Sequence, residues 1–241
     1  RSTLFPYTTL FRSPAGASCL CFVDKNNIVP MESAQDYKRI FEKDKGPNTG
    51  GMGTYSPNKI FTEELEDRIK KEILEPTLEG LKKEKLDFHG VLFIGLMISE
   101  DGPKVIEFNV RFGDPETQSI LFRMESDLLN IIEAVVDNKL DKIKIKWSED
   151  AACCVVMASE GYPGEYVKGR EIKGIDKISD SDVFVFHAGT AIKDGKLVTN
   201  GGRVLGVTAR GANLEKAKEK AFSAVEKIHF DGAQYRKDIG E

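Results

Sequence analysis

No part of this chain runs long enough without charge to cross a bilayer, which takes about 20 consecutive apolar residues as a helix; the pattern therefore gives no reason to expect a membrane partner. A concentrated basic excess is also missing. The net charge is −4 with a pI near 5.6, the wrong balance for a nucleic-acid binder. Cysteine is scarce. Cys19, Cys21, Cys153 and Cys154 lack zinc-ligand spacing, and neighbouring cysteines rarely bridge each other, so they read as buried, reduced thiols of a cytoplasmic protein. Histidine is scarcer still: His89 and His229 carry no functional pattern, and His187 sits in an apolar strand where a structural role fits best. No secretory leader is expected from this stretch, because Pro6, Tyr7, Thr8 and Thr9 interrupt any apolar core in "RSTLFPYTTLFRS".

What is present is an ordinary globular composition, 40% apolar and 31% charged, in a chain of 241 residues that can hold one large domain or two modest ones. "ASCLCFVDKNNIVPM" reads as strand, polar turn and strand. The stretch "SAQDYKRIFEKDKGPNTGGMGTYSP" reads as loop from its glycine and proline content. A helix is expected from Thr62, with Leu65, Ile69, Ile73 and Leu74 as its apolar face, and Pro76 should kink or end it. "GVLFIGLMIS" and "KVIEFNVRF" flank a turn at Glu100-Asp101-Gly102 and form the clearest hairpin. One long helix is expected from "DPETQ" to about Leu140, with Asp114 as cap and Pro115 at its first position. Short strands and one amphipathic helix, about Leu214 to Ile228, make up the rest. The domain boundary is placed near Asp150, giving segments 17–149 and 150–241.

Chemistry concentrates in the second hairpin strand. Side chains alternate along a strand, so Ile106, Phe108, Val110 and Phe112 should form an apolar face directed into the core. Glu107, Asn109 and Arg111 then project from the other face. Glu and Asn supply the hard oxygen ligands that Mg²⁺ prefers, with phosphates and water completing the octahedron. The planar fork of Arg111 suits a phosphoryl or carboxylate group. Alone, such a strand is usually an ordinary solvent edge. The turn Gly113-Asp114-Pro115-Glu116 at a helix start changes that balance, although Asp114 serves equally well as a helix cap. In "GPNTGGMG" no Gly-Lys-Ser/Thr ending follows, so it is not a Walker loop. Its glycines allow close approach of a ligand and should offer N–H groups to an anion.

These stretches together resemble one family. "GPNTGGMGTYSP", "VIEFNVRFGDPETQ" and "TNGGRVLGVTA" look like the phosphoribosylamine–glycine ligases (glycinamide ribonucleotide synthetases) of the ATP-grasp superfamily, with "RFGDPE" the most specific signature. "FVD", "QDYKR", "GYPGEY", "FHAGT" and "YRKDIG" follow in the family's order. The resemblance implies an α/β (α+β) fold: an ATP-grasp large lobe with an antiparallel sheet and flanking helices, then a small β-rich carboxy-terminal domain. It implies ATP-dependent joining of glycine to 5-phosphoribosylamine through glycyl phosphate, in a cytoplasmic monomer. Glu107 and Asn109 become the ligands of Mg²⁺ or Mn²⁺, and Arg111 and Asp114 the candidate catalytic side chains. Asp24, Asp36, Lys38 and Arg39, with Asn48, Thr49, Gly50 and Gly51 of the glycine loop, become candidate substrate contacts. The strand "VLFIGLMI" lacks a further metal carboxylate that many superfamily members carry. Another ATP-grasp carboxylate–amine ligase, or a standalone nucleotide- or metal-binding module, is the alternative.

Residues 1–13 translate, codon by codon, a common sequencing-library adapter, and the family resemblance dissolves just upstream of Ala17. Residues 1–16 are therefore expected to be a non-native leader and seam, of which the first thirteen should pack against nothing. The rest is expected to be a fragment, inactive by itself because the lobe that holds ATP is not in it.

Overall fold

The structure, a computed structural model, describes residues 15–241. In chain order, β1 (Ala15–Val23), β2 (Ile28–Pro30), β3 (Gln35–Asp36), β4 (Arg39–Phe41), β5 (Lys45–Asn48) and β6 (Gly53–Ser56) precede α1 (Glu63–Ile69). A π-helical turn (Lys70–Leu74) joins α1 to α2 (Glu75–Lys83). Next come β7 (Gly90–Ser99), β8 (Gly102–Asn109), α3 (Glu116–Leu121) and α4 (Leu128–Val136). The chain continues with β9 (Ala151–Ser159), β10 (Val183–His187), β11 (Thr190–Lys193), β12 (Lys196–Thr199), β13 (Arg203–Gly211), α5 (Leu214–Val225) and β14 (Ala233–Gln234). Among the described residues, no helix is long and apolar enough to cross a membrane.

Alternation along β1 organises the first half. Cys19, Cys21 and Val23 face one way and pack with Ile69, Ile73, Leu74, Leu92, Ile94 and Leu96. Leu20 and Phe22 face the other way and pack with Phe93, Ile120, Ile131 and Val135. The four-stranded antiparallel sheet, ordered β2-β1-β7-β8, is thus covered on both sides, by α1 and α2 on one and by α3 and α4 on the other. The second sheet is ordered β10-β13-β9-β6-β3, with β14 also pairing β9. Ala217, Ala221, Ala224 and Val225 of α5 bury against it. The mixed antiparallel architecture agrees with the fold class expected from the sequence.

Several local expectations are corrected. The glycine- and proline-rich stretch is not all loop, since it contributes β3 to β6. At Gly53 a Cβ would lie 2.7 Å from the Cys154 carbonyl oxygen, so glycine here permits close approach to β9 rather than marking a loop. Pro76 does not end its helix. The π turn just before it widens the helix where the proline removes a hydrogen bond and crowds the preceding carbonyl. Thr62 caps α1 as expected, accepting from the Leu65 N–H at 3.2 Å. The long helix from Asp114 is two short ones. Pro115 occupies the cap position of α3 without a side-chain cap, and Asp127 starts α4 afresh by accepting from the N–H groups of Leu129 and Asn130. The break lets Met124 bridge to Trp147, which packs into the core with Ile143 and Ile145.

Ala15 and Gly16, expected to belong to the seam, are paired in β1 with Ile98 and Met97; a backbone ladder needs no side-chain complementarity. The rest of the expected leader, residues 1–14, lies outside the described residues. The expected boundary near Asp150 falls just before β9, yet the second sheet draws β3 and β6 from the segment before it.

Candidate active site

Register on the hairpin sets the metal candidates. Glu107 lies opposite Gly95 and Asn109 opposite Phe93 on β7, so the two share one face of β8, while Phe108 lies opposite Ile94 on the other. Among the described residues, neither the Glu107 carboxylate nor the Asn109 amide is engaged in a hydrogen bond or ion pair, in contrast to the other carboxylates nearby. No three His, Cys, Asp or Glu side chains converge among the described residues. The donor set is therefore one carboxylate and one amide oxygen on one strand face, both uncommitted. That suits Mg²⁺ or Mn²⁺ completed by phosphate oxygens and water.

The expected apolar face of β8 is corrected. Phe108 is 50% exposed, Ile106 41% and Val110 72%. β8 is the edge strand of its sheet, and the register shifts between Gly95 and Leu96, which throws Ile106 out of the alternation. Phe112 lies beyond the strand end and turns the opposite way, meeting Phe22 edge-on at 6.5 Å.

Three further elements converge beside this strand. The side chains of Asp36, from β3, and Glu116, from α3, are both buried, and the Lys38 ammonium touches Asp36 Oδ2 and stands 3.9 Å from Glu116 Oε1. Ser18 Oγ donates to Glu116 Oε1 at 2.8 Å. Burial, reinforced by the Glu116 charge, pushes the Asp36 carboxyl up to about 7 against the opposing pull of Lys38 and Arg203. Burial acts to lower Lys38, but the carboxylates of Asp36, Glu116 and Glu107 together hold it above its usual value.

The glycine loop arrives at the same place with its donors already spent. The Gly50 N–H donates to the Tyr162 hydroxyl at 3.0 Å and the Gly51 N–H to Thr49 Oγ1 at 2.9 Å, so these two groups are not free for an anion. Thr49 is itself tied to the Lys38 carbonyl through its N–H and its hydroxyl. Gly51 has φ +120°, and a Cβ there would lie 2.4 Å from Pro115 Cδ, so only glycine lets the loop meet the "GDPE" turn. Asn48 is exposed at the end of β5, and Arg39 donates to the Gly46 carbonyl at 2.7 Å within the β4–β5 hairpin.

Arg203 from β13 clamps the parts together. Its Nη1 donates to the carbonyls of Asp114 at 2.8 Å and Gly50 at 3.0 Å, and its Nη2 to Asp114 Oδ2 at 3.1 Å. Asp114 is therefore not a helix cap; it also accepts from Gln118 Nε2 at 3.0 Å. Arg203 escaped residue-level reading of the sequence, where its only signal was the stretch "TNGGRVLGVTA". His187 borders a small cavity with Asp114 and Arg203 and is exposed, its Nδ1 3.1 Å from Thr190 Oγ1. Arg111 is exposed and donates to the neighbouring Phe112 carbonyl at 2.9 Å, which leaves most of its fork available.

Asp24 is not brought to this site. Its carboxylate closes the β1–β2 turn, accepting from Asn26, Asn27 and the Leu140 N–H. Burial acts to raise it, but those donors hold it below the usual carboxylate range.

Residues 14–117 match the family model described as the phosphoribosylglycinamide synthetase ATP-grasp (A) domain, and residues 152–241 match that of the synthetase's C domain. The chain belongs to the phosphoribosylglycinamide synthetase family. A phosphoribosylamine–glycine ligase of Caldanaerobacter subterraneus subsp. tengcongensis is 51% identical to this synthetase-family chain over 223 residues. That match covers 92% of the chain and 53% of the relative, so the chain spans about half the length of the curated relative. The crystal structure of a phosphoribosylamine–glycine ligase from Thermotoga maritima superposes with a TM-score of 0.86 at 37% identity, covering 95% of this chain and 56% of that one. A biotin carboxylase domain of Hydrogenobacter thermophilus 2-oxoglutarate carboxylase, solved with magnesium ADP and bicarbonate, shares the fold at 13% identity. Its TM-score is 0.66, with 94% of this chain and 48% of that one covered.

Proposed function

We propose that this chain carries the metal-holding and substrate-facing part of an enzyme that joins glycine to 5-phosphoribosylamine. ATP is consumed and glycinamide ribonucleotide, ADP and phosphate are formed, a step of purine biosynthesis. The observation that carries the proposal is the uncommitted Glu107–Asn109 face of β8 beside the joined glycine loop and "GDPE" turn. Transfer of the ATP γ-phosphoryl to the glycine carboxylate gives ADP and glycyl phosphate. The amine nitrogen of 5-phosphoribosylamine then attacks the carbonyl carbon and expels phosphate.

Glu107 and Asn109 would hold Mg²⁺ or Mn²⁺, which when bound neutralises charge on the transferring phosphoryl group. Arg111 orients a phosphoryl or carboxylate oxygen with its open fork. Asp36, Lys38 and Glu116 bring charge to the substrate side, while Arg203 and Asp114 act at one remove by fixing the loop. Asp24 lies away from this face, and Arg39 and Thr49 are held in structural hydrogen bonds, so none of the three is assigned a substrate contact. Four free, buried cysteines support a reducing, cytoplasmic setting. A monomer acting on small molecules, with neither nucleic acid nor membrane as partner, is part of the same proposal.

The test is a chimera joining residues 17–241 to the part of the Caldanaerobacter relative that lies outside the match. Sustained turnover of ATP to ADP should require Mg²⁺, glycine and 5-phosphoribosylamine together. Glu107→Gln should lower kcat about 10²-fold or more while leaving folding intact, since it removes an interaction made with the reacting phosphoryl group. Normal turnover of that variant at limiting Mg²⁺ would remove the metal assignment. Glycine-independent ADP release with another carboxylate would favour a different ATP-grasp ligase.

A further inference from the structure

On one side of the first sheet the helical cover stops short of the last strand. Residues directly opposite each other on antiparallel strands share a face. Phe108, opposite Ile94, and Val105, opposite Leu96, therefore lie on the side where Ile94 and Leu96 pack under α1 and the π-helical turn. Ile94 and Leu96 are fully buried, whereas Val105 and Phe108 are exposed. The cause is width. Residues 63–83 run as one helical rod, and a helix about 10 Å across covers roughly two strands set about 4.8 Å apart. β1 and β7 take up that width, and β8 is left over. Only its start is reached: Gly102 and Pro103 are buried, where Arg68 of α1 donates to the Asp101 carbonyl at 3.0 Å. From Lys104 to Phe108 every residue is exposed. Val105, Ile106 and Phe108, with Val110 just past the strand end, thus form a run of large apolar side chains. They sit on an edge strand that pairs, among the described residues, with β7 alone. Scattered exposed apolar residues are ordinary, but a run of them along an unpaired edge invites strand-to-strand association unless something covers it.

We infer that this face of β8 is a docking surface, and that its occupant is a helix from the part of the synthetase polypeptide outside the match, laid beside α1 with an apolar stripe on Phe108 and Val110. Two observations select that occupant. The gap lies next to an existing helix in the same layer, which is where a second helix fits. The match covers 53% of the Caldanaerobacter relative, so nearly half of a polypeptide of that kind is available to supply one. A second copy of this chain is the poorer candidate, since a stable dimer buries about 800 Å² per partner and four partly exposed side chains on one strand fall well short of that. Glu107 and Asn109 hang from the same strand on its opposite face, so the docked helix would hold the metal candidates from behind. That last consequence rests on the proposed function; the docking surface does not.

Hydroxyl-radical footprinting read by mass spectrometry tests this on the 241-residue chain and on the chimera described above. The core of an interface is packed like a protein interior, so oxidation of Phe108 in the tryptic peptide 105–111 should fall about fivefold or more in the chimera. Phe184, 52% exposed on β10 against 50% for Phe108, is the reference and should change little. Unchanged oxidation of Phe108, or a fall no larger than that of Phe184, refutes the docking surface. Protection already present in the 241-residue chain overturns the assigned occupant: if it grows with protein concentration the occupant is a second copy, and if it is lost on deleting residues 1–14 it is the chain's own start. A substitution gives a reading that needs no chimera. Val110 is 72% exposed, so Val110→Lys should leave the midpoint of the 241-residue chain within about 2 °C. Lysine at the aligned position of the intact Caldanaerobacter relative should lower that protein's midpoint several times as much. If the relative tolerates the lysine as well as this chain does, the surface is not covered there and the inference fails. Neither measurement involves turnover, so a failed docking surface and a failed assignment of the reaction are told apart.

Discussion

Asp36→Asn keeps the outline of a protonated carboxyl group and deletes its charge. In the folded chain burial and the Glu116 charge move this carboxyl from an ordinary 3.8 up to about 7. The folded state therefore holds the proton more tightly than the unfolded chain does. Its contribution to stability is complete below about pH 4 and is lost as the pH rises through 7. A shift of that size is worth about 4 kcal/mol at 1.36 kcal/mol per unit. The variant should match the parent near pH 4 and gain on it by about 1.4 kcal/mol per pH unit until the curve levels above pH 7. For a chain of this length that corresponds to a midpoint higher by roughly 8–16 °C at pH 8. The assay is thermal or urea unfolding of both proteins from pH 4 to 9, read as a difference so that other titrating groups cancel. A difference that stays flat across this range, or a variant less stable at pH 8 than its parent, would refute the reasoning.

Other outcomes follow from burial and hydrogen bonding. Phe108→Ala should cost only about 1 kcal/mol, half of what full burial of a phenylalanine gives, because the ring is 50% exposed; urea unfolding would show it. Arg123→Met should cost about 3–5 kcal/mol, since the buried guanidinium donates to Glu32, Ser56 and the carbonyls of Ser148 and Asp150; calorimetry would measure it. Asp127→Ala should cost about 1 kcal/mol by removing the cap of α4, and amide exchange should quicken first at Leu129 and Asn130. Cys154 is fully buried and its thiol is pushed up to about 12, so at pH 8 it should resist iodoacetamide until the chain unfolds, as mass spectrometry would report.

The parts of the fold governed by periodicity were legible in the sequence. The β7–β8 hairpin, the apolar face of α1 and the amphipathic α5 all rest on local patterns that tertiary contacts reinforce. The misreadings have a common cause, a residue whose role is set by a distant partner. Gly53 looks like a loop residue until β9 lies against it. Asp114 looks like a helix cap until Arg203, far along the chain, takes its carboxylate. Phe108 follows a core-directed alternation, but it sits on an edge strand with a register shift beside it. Glu107 and Asn109 share a face as alternation requires, since two residues apart on one strand need no other element to align them. Glu116 appeared in the sequence only as the end of a turn. Its proximity to Asp36 depends on β3 and α3 meeting, which no local pattern encodes.

The pairing of β6 with β9 carries a consequence for how this polypeptide reaches its native state. Gly53 lies opposite Val155 and Ser56 opposite Ala152, so the ladder closes a loop of roughly a hundred residues. The loop contains the whole β7–β8 hairpin and helices α1 to α4, which can form from contacts much closer in sequence. The second sheet can be finished only after that intervening body has become compact enough to bring β6 and β9 together. A polypeptide cut near residue 150 would release β9 with one side unpaired and apolar, a surface open to strand-to-strand aggregation. The segment after the cut is therefore not a portable module; as it folds, it depends on a short strand laid down long before it in synthesis.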